Sequence, residues 1–164
     1  MRLYRTTLAI ALSLVVVLAT FGTMGYVITQ PLDGSAYTGF QIVTENASGE
    51  YVAAEYPGEM GPGEAADLTF AVRNSEGRDV RYTVVILYQT VDSDGAVRDS
   101  TVFERYQREV GAGETWHHPH EVVPLESADR SRFTYLLYEG EPPGTPTVDN
   151  AYRHLYLWIE GSQP

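Results

Sequence analysis

Val80-Arg81-Tyr82-Thr83-Val84-Val85-Ile86-Leu87-Tyr88-Gln89-Thr90-Val91 is the stretch from which the fold is read. It is rich in β-branched and aromatic residues and alternates with period two. Val80, Tyr82, Val84, Ile86 and Tyr88 point one way, and Arg81, Thr83, Val85, Leu87 and Gln89 the other. The second face is itself partly apolar, so a strand here needs a cover on both sides. Asp92-Ser93-Asp94-Gly95 follows, and Asp-Gly supplies the positive φ angles of a hairpin turn.

Working outward, strand signals recur between clusters of Gly, Pro, Asn and Asp. Tyr37 to Thr44 alternates and ends at Asn46-Ala47-Ser48-Gly49, and a short extended piece covers Glu50 to Ala53. Ala66 to Val72 puts Ala66, Leu68, Phe70 and Val72 on one face. Ala96 to Val110 reads as one long strand or two shorter ones, Thr115 to Val123 and Phe133 to Tyr138 as further strands, and Tyr152 to Glu160 as the last. Pro124 to Arg132 is polar, and Gly140 to Asn150 holds three Pro, which weighs against a helix there. A helix at Asn150 to Leu157 is the one intrusion the pattern allows. The expected fold is mainly β, an antiparallel immunoglobulin-like β-sandwich of seven or eight strands preceded by one transmembrane helix.

The helix is expected over residues 6–29. Leu8 to Ile28 carries no charge, and such a stretch covers roughly 30 Å of hydrocarbon. Arg2 and Arg5 precede it and no positive charge follows until Arg73, so residues 1–5 are read as a cytoplasmic tip, 30–36 as a linker and 37–164 as an extracellular domain. The alternative is a cleaved secretory signal with Leu8 to Ala19 as its apolar region. Both readings place the domain outside.

Charge divides the chain in the same way. All 11 basic residues are Arg and there is no Lys; the first 30 residues hold two Arg and no acid, while the rest hold nine Arg and all 22 acids. Such an acidic surface repels nucleic acid. At molar salt the screening length falls to about 3 Å and the self-repulsion of the domain fades, so the composition predicts a halophilic, archaeal source. The absence of cysteine excludes disulfides, thiol nucleophiles and thiolate metal sites.

Candidate chemistry is sparse. In a strand, His118 and His120 of His117-His118-Pro119-His120 share a face and reach toward one metal ion, but two ligands do not make a site, and an imidazole row beside a Trp116 core anchor explains them too. Trp116, Trp158 and Tyr156 are the candidate rings for stacking a sugar, and Asn46 heads the single glycosylation triplet. No nucleophile elbow, phosphate-binding loop or zinc-protease helix occurs, and no cofactor or catalytic residue is expected.

Tyr37-Thr38-Gly39-Phe40, Glu55-Tyr56-Pro57, Val72 to Arg78, Tyr82-Thr83-Val84, Gly113-Glu114-Thr115-Trp116 and Tyr152 to Ile159 together resemble the archaeal membrane proteins grouped as domain of unknown function 1616. The resemblance covers nearly all of residues 27–160 and implies an exported immunoglobulin-like module, with no catalytic residues to transfer. Members carry several membrane helices before the module, where this chain shows one apolar stretch.

The expectation is therefore a single-pass protein of the cell membrane, its amino terminus cytoplasmic, acting without catalysis as an interaction or structural module. Its expected partners are envelope or surface-layer proteins or membrane neighbours. The alternatives are a carbohydrate-binding module and, third, a metal-dependent enzyme at the His cluster.

Overall fold

The computed structural model describes residues 36–53 and 56–161. The expected membrane helix over 6–29 lies outside the described residues, and among these no helix is long and apolar enough to cross a bilayer. Among the described residues nine strands form: β1 Tyr37–Glu45, β2 Tyr51–Val52, β3 Glu59–Met60, β4 Ala66–Ser75, β5 Val80–Val91, β6 Val97–Val110, β7 Thr115–Val122, β8 Arg130–Glu139 and β9 Arg153–Gly161. A 3-10 turn spans Val148–Asn150. The residues weighed for a helix, Asn150 to Leu157, lead into β9 instead.

Two sheets result, with strand orders β2-β1-β4-β7 and β3-β9-β8-β5-β6. The count exceeds the expected seven or eight because of β3, two residues with no alternation to announce them. β3 also departs from the antiparallel rule: Glu59 and Met60 pair in parallel with Glu160 and Gly161. Every other pairing is antiparallel. β8 begins at Arg130, so the end of the polar stretch 124–132 is strand, drawn into the sheet by pairing with β9.

The core lies between the sheets. Tyr82, Val84, Ile86 and Tyr88 of β5 meet Leu68, Phe70 and Val72 of β4, with Phe133, Tyr135 and Leu137 of β8 beside them. Phe70 is fully buried and meets Trp116 edge to face at 5.0 Å. Burying side chains of this size contributes about 2 to 3 kcal/mol each before ordering costs.

The second face of β5 is covered, as its apolar content requires. Val85 and Leu87, with Leu136 and Tyr138 of β8, form a separate apolar cluster against which Val148 and Ala151 pack. The Pro-rich segment from Gly140 to Ala151 is thus a strap across the outer face of the five-stranded sheet. The Thr83 hydroxyl donates to the Gly140 carbonyl at 2.6 Å, and the Tyr138 hydroxyl lies 2.8 Å from Asn150 Oδ1 and 3.1 Å from the Thr147 amide.

Ala96 to Val110 resolves into one long strand with irregular register. Ile86 pairs with Glu104 but Leu87 with Val102, leaving Phe103 as the extra residue of a bulge. The bulge turns two consecutive side chains inward: Phe103 packs on Phe133 at 5.2 Å, and Glu104 follows on the inner row. Glu104 Oε2 is buried without a hydrogen-bond partner among the described residues.

Candidate interaction surfaces

The sandwich has two long sides where strands run without an outer partner, and they are built differently. On one side β6 and β7 face each other. β7 carries Pro119 opposite Thr69 of β4, a position open to proline only because its missing N–H points away from the sheet. β6 has two register breaks and exposed charges at Arg105, Arg108 and Glu109. Both devices obstruct pairing with a further strand.

Inside this side sit the histidines. β7 turns Trp116, His118 and His120 inward, toward Glu104, Tyr106 and Arg108 of β6. The Tyr106 ring lies 4.1 Å from His118, and His120 packs on Phe70 at 5.5 Å. His120 Nε2 is 2.8 Å from the Tyr135 hydroxyl and Nδ1 is 3.3 Å from the His118 carbonyl. With Nδ1–H donating to the carbonyl, Nε2 accepts from the phenol, and both ring nitrogens are occupied. Burial pulls the His120 pKa from 6.5 to about 4, against the opposing pull of its hydrogen bond to the His118 carbonyl. His118 is lowered by burial and then by the Arg108 guanidinium. Burial, helped by the Glu104 charge, raises Tyr135 far above the ordinary phenol range.

At neutral pH this is a chain of neutral groups that satisfies buried polar atoms. His154, the third imidazole that could join His118 and His120, stands on β9, and the described residues contain no cluster of three His, Asp or Glu able to hold an ion. His117 points outward and stacks on Tyr51 of β2 at 4.5 Å, bridging the outer face of the four-stranded sheet.

The three rings considered for sugar stacking do not form a platform. Trp116 is 3% exposed and sits in the core, which corrects its reading as a binding aromatic: its inward register on β7 places it on Phe70. Tyr156 and Trp158 do share the outer face of β9, yet their planes are tilted by 44°. Guanidinium groups also stack on them: Arg130 lies over Trp158 at 4.3 Å, and Arg132 over Tyr156 at 4.4 Å and Trp158 at 5.0 Å, while Tyr156 stays 39% exposed. Asn46 stands in the β1–β2 turn, where its Oδ1 accepts the Ser48 and Glu50 amides, both at 2.9 Å.

On the opposite side β1 and β9 face each other. β2 pairs only with Thr44 and Glu45 of β1, and β3 only with Glu160 and Gly161 of β9. From Arg153 to Trp158, β9 has no outer strand among the described residues. No proline or register break interrupts that stretch. A groove of about 480 Å³ runs beside it, lined by Tyr37, Phe40, Tyr152, Arg153 and His154. The Thr38 hydroxyl, 2.7 Å from both Glu76 Oε1 and the Tyr82 hydroxyl, and the Tyr152 hydroxyl, 3.0 Å from Glu76, hold its floor. A larger cavity of about 760 Å³ at the end of the sandwich is lined by mixed polar groups, among them Ser93, Arg98, Asp129 and Ser131.

A family model described as Domain of unknown function (DUF1616) matches residues 31–160. The chain belongs to that family. Among solved structures this DUF1616 module is similar to the CARDB domain of a Pyrococcus furiosus protein, solved in complex with di-metal ions. The two share 13% identity and a TM-score of 0.50 over 79% of this chain and 90% of that one. It is also similar to part of a β-glucosidase from Listeria innocua, solved in complex with glucose, at 12% identity and a TM-score of 0.51 over 82% of this chain and 19% of the enzyme. At such identities the likeness is one of fold: an immunoglobulin-like β-sandwich. No curated protein matches the chain.

Arg132, Gln89, Glu104 and Tyr135 escaped the sequence reading. The spacing Arg130-x-Arg132 beside Tyr156-x-Trp158 is the one signal that was available, since residues two apart share a face of a strand.

Proposed function

We propose that this DUF1616 protein is a membrane-anchored, outward-facing interaction module of the cell envelope of a halophile, acting without catalysis or cofactor. We further propose that it holds its partner, an envelope or surface-layer protein or a membrane neighbour, along the β1/β9 side. The observation that carries the reading is the contrast between the two sides. Proline, bulges and charges obstruct β6 and β7, while β9 offers, among the described residues, an uninterrupted edge of unpaired backbone beside a tyrosine-lined groove. The apolar stretch from Leu8 to Ile28 supports the anchor, the Arg-led flank supports the orientation, and the acidic, Lys-free composition supports the saline setting.

The test is a photo-crosslinking residue at Tyr156 or at Val102 in the full chain, in intact cells at molar salt, with external protease as a check on topology. Adducts to an envelope protein are expected from Tyr156 and not from Val102. Equal labelling from both positions, or a domain protected from external protease, overturns the proposal.

A further inference from the structure

Resting on the open β9 edge proposed above, we infer that the stretch from Arg153 to Trp158 receives an extended acidic segment of the partner protein. A carboxylate of that segment is held by the Arg132 guanidinium above Tyr156 and Trp158. The argument starts from charge. Acids outnumber bases two to one in this chain, 22 against 11, so an arginine should find a carboxylate easily. Arg78, Arg81, Arg105 and Arg130 do so, pairing with Glu139, Glu109, Glu141 and Glu160, whereas Arg73, Arg98, Arg108, Arg132 and Arg153 have no ion pair among the described residues, and of these Arg132 is the one fixed by a buried side-chain amide.

Arg132 is half-buried and has no carboxylate within ion-pair distance among the described residues. Its Nε donates to a neutral acceptor, Gln89 Oε1, at 2.7 Å. That oxygen also accepts from the Thr134 hydroxyl at 2.8 Å, and Gln89 Nε2 donates to Ser100 Oγ at 3.1 Å, so three strands lock the amide. The guanidinium is thus fixed in direction at Nε while its charge is left intact, and its terminal nitrogens keep their donors for a bidentate acceptor.

Position completes the case. Arg132 starts on β8 but its guanidinium lies over rings that belong to β9, one strand nearer the open edge. A strand added to β9 would run about 4.8 Å further out, with every second side chain on this same face. A glutamate there reaches back to the guanidinium. Arg153, stacked on Tyr152 without an ion pair among the described residues, stands at the start of the same stretch.

The probes are three labelled octapeptides of alternating Thr and Val, identical except for Glu, Gln or Lys at one central outward position. Binding to the full chain in detergent micelles at molar potassium chloride is read by fluorescence anisotropy. The Glu peptide is expected to bind about tenfold more tightly than the Gln peptide, and the Lys peptide more weakly than either. In Arg132→Gln the Glu and Gln peptides should bind alike, and unchanged affinity for the Gln peptide reports that the edge is still folded. Equal binding of Glu and Gln peptides to the unmodified chain, or discrimination that survives in Arg132→Gln, overturns the acidic-segment inference and leaves the edge reading standing. Failure of all three peptides to bind overturns the edge reading and this inference with it.

Discussion

Acidification should loosen the sandwich chiefly through His120. Its ring is 8% exposed and bonded at both nitrogens, and its pKa in the folded chain is about 4 against 6.5 for a free imidazole. The folded state therefore binds fewer protons than the unfolded state between these two values, and stability must fall as pH drops through that window. The contribution is fully present above about pH 6.5 and is lost toward the folded pKa. Going from pH 7 to pH 4.5, linkage gives a loss of about 2 kcal/mol. His118, lowered by burial and Arg108, adds in the same direction. Tyr135, raised by burial, stays neutral across the range, and Glu104 is the acid that β6 turns toward the pair among the described residues. The assay is urea unfolding of the full chain at molar salt and several pH values. With a slope of about 1 to 3 kcal/mol per molar urea, the midpoint should shift down by roughly 1 M. His120→Gln keeps an acceptor for the Tyr135 hydroxyl but cannot titrate, so it should remove most of the shift. An equal shift in wild type and variant would refute the assignment.

Three further outcomes follow from packing and hydrogen bonding. Phe70→Ala empties the centre of the core beside Trp116 and Phe40 and should cost about 3 to 5 kcal/mol in chemical denaturation. Gly161→Ala places a Cβ against the Ala128 carbonyl oxygen, backbone that cannot swing aside; a loss of about 1 to 3 kcal/mol, seen as a lower melting temperature, is expected. Tyr138→Phe deletes the hydroxyl that meets Asn150 and Thr147, so amide exchange should speed up in residues 144–151 while global stability falls by only about 1 kcal/mol.

How far the fold was legible depended on whether each strand carried its own pattern. β5 did, and its two faces were assigned correctly down to the need for a cover on the outer one. What supplies that cover was not legible, because a Pro-rich segment reads as a loop whether it wanders in solvent or lies on a sheet. β3 was invisible for a different reason: two residues have no period, and the pairing is decided by where β9 happens to end. The bulge at Phe103 shifts the alternation of β6 by one, so the inward turn of Glu104 follows from pairing with β5 and not from β6 alone. The candidate rings show the same limit. Trp116 and Trp158 are chemically identical, and only the sheet register puts one in the core and the other under two arginines.

The strap from Gly140 to Ala151 sets a practical boundary. Connecting segments usually tolerate added or deleted residues, but this one is a lid on Val85, Leu87, Leu136 and Tyr138. Lengthening it or inserting a tag there would peel away Val148 and Ala151 and leave a greasy strip on the outside of the sheet, inviting clumping in the high salt that strengthens such adhesion. The Asp92 to Gly95 turn, which shields nothing comparable, is the safer place to graft a label.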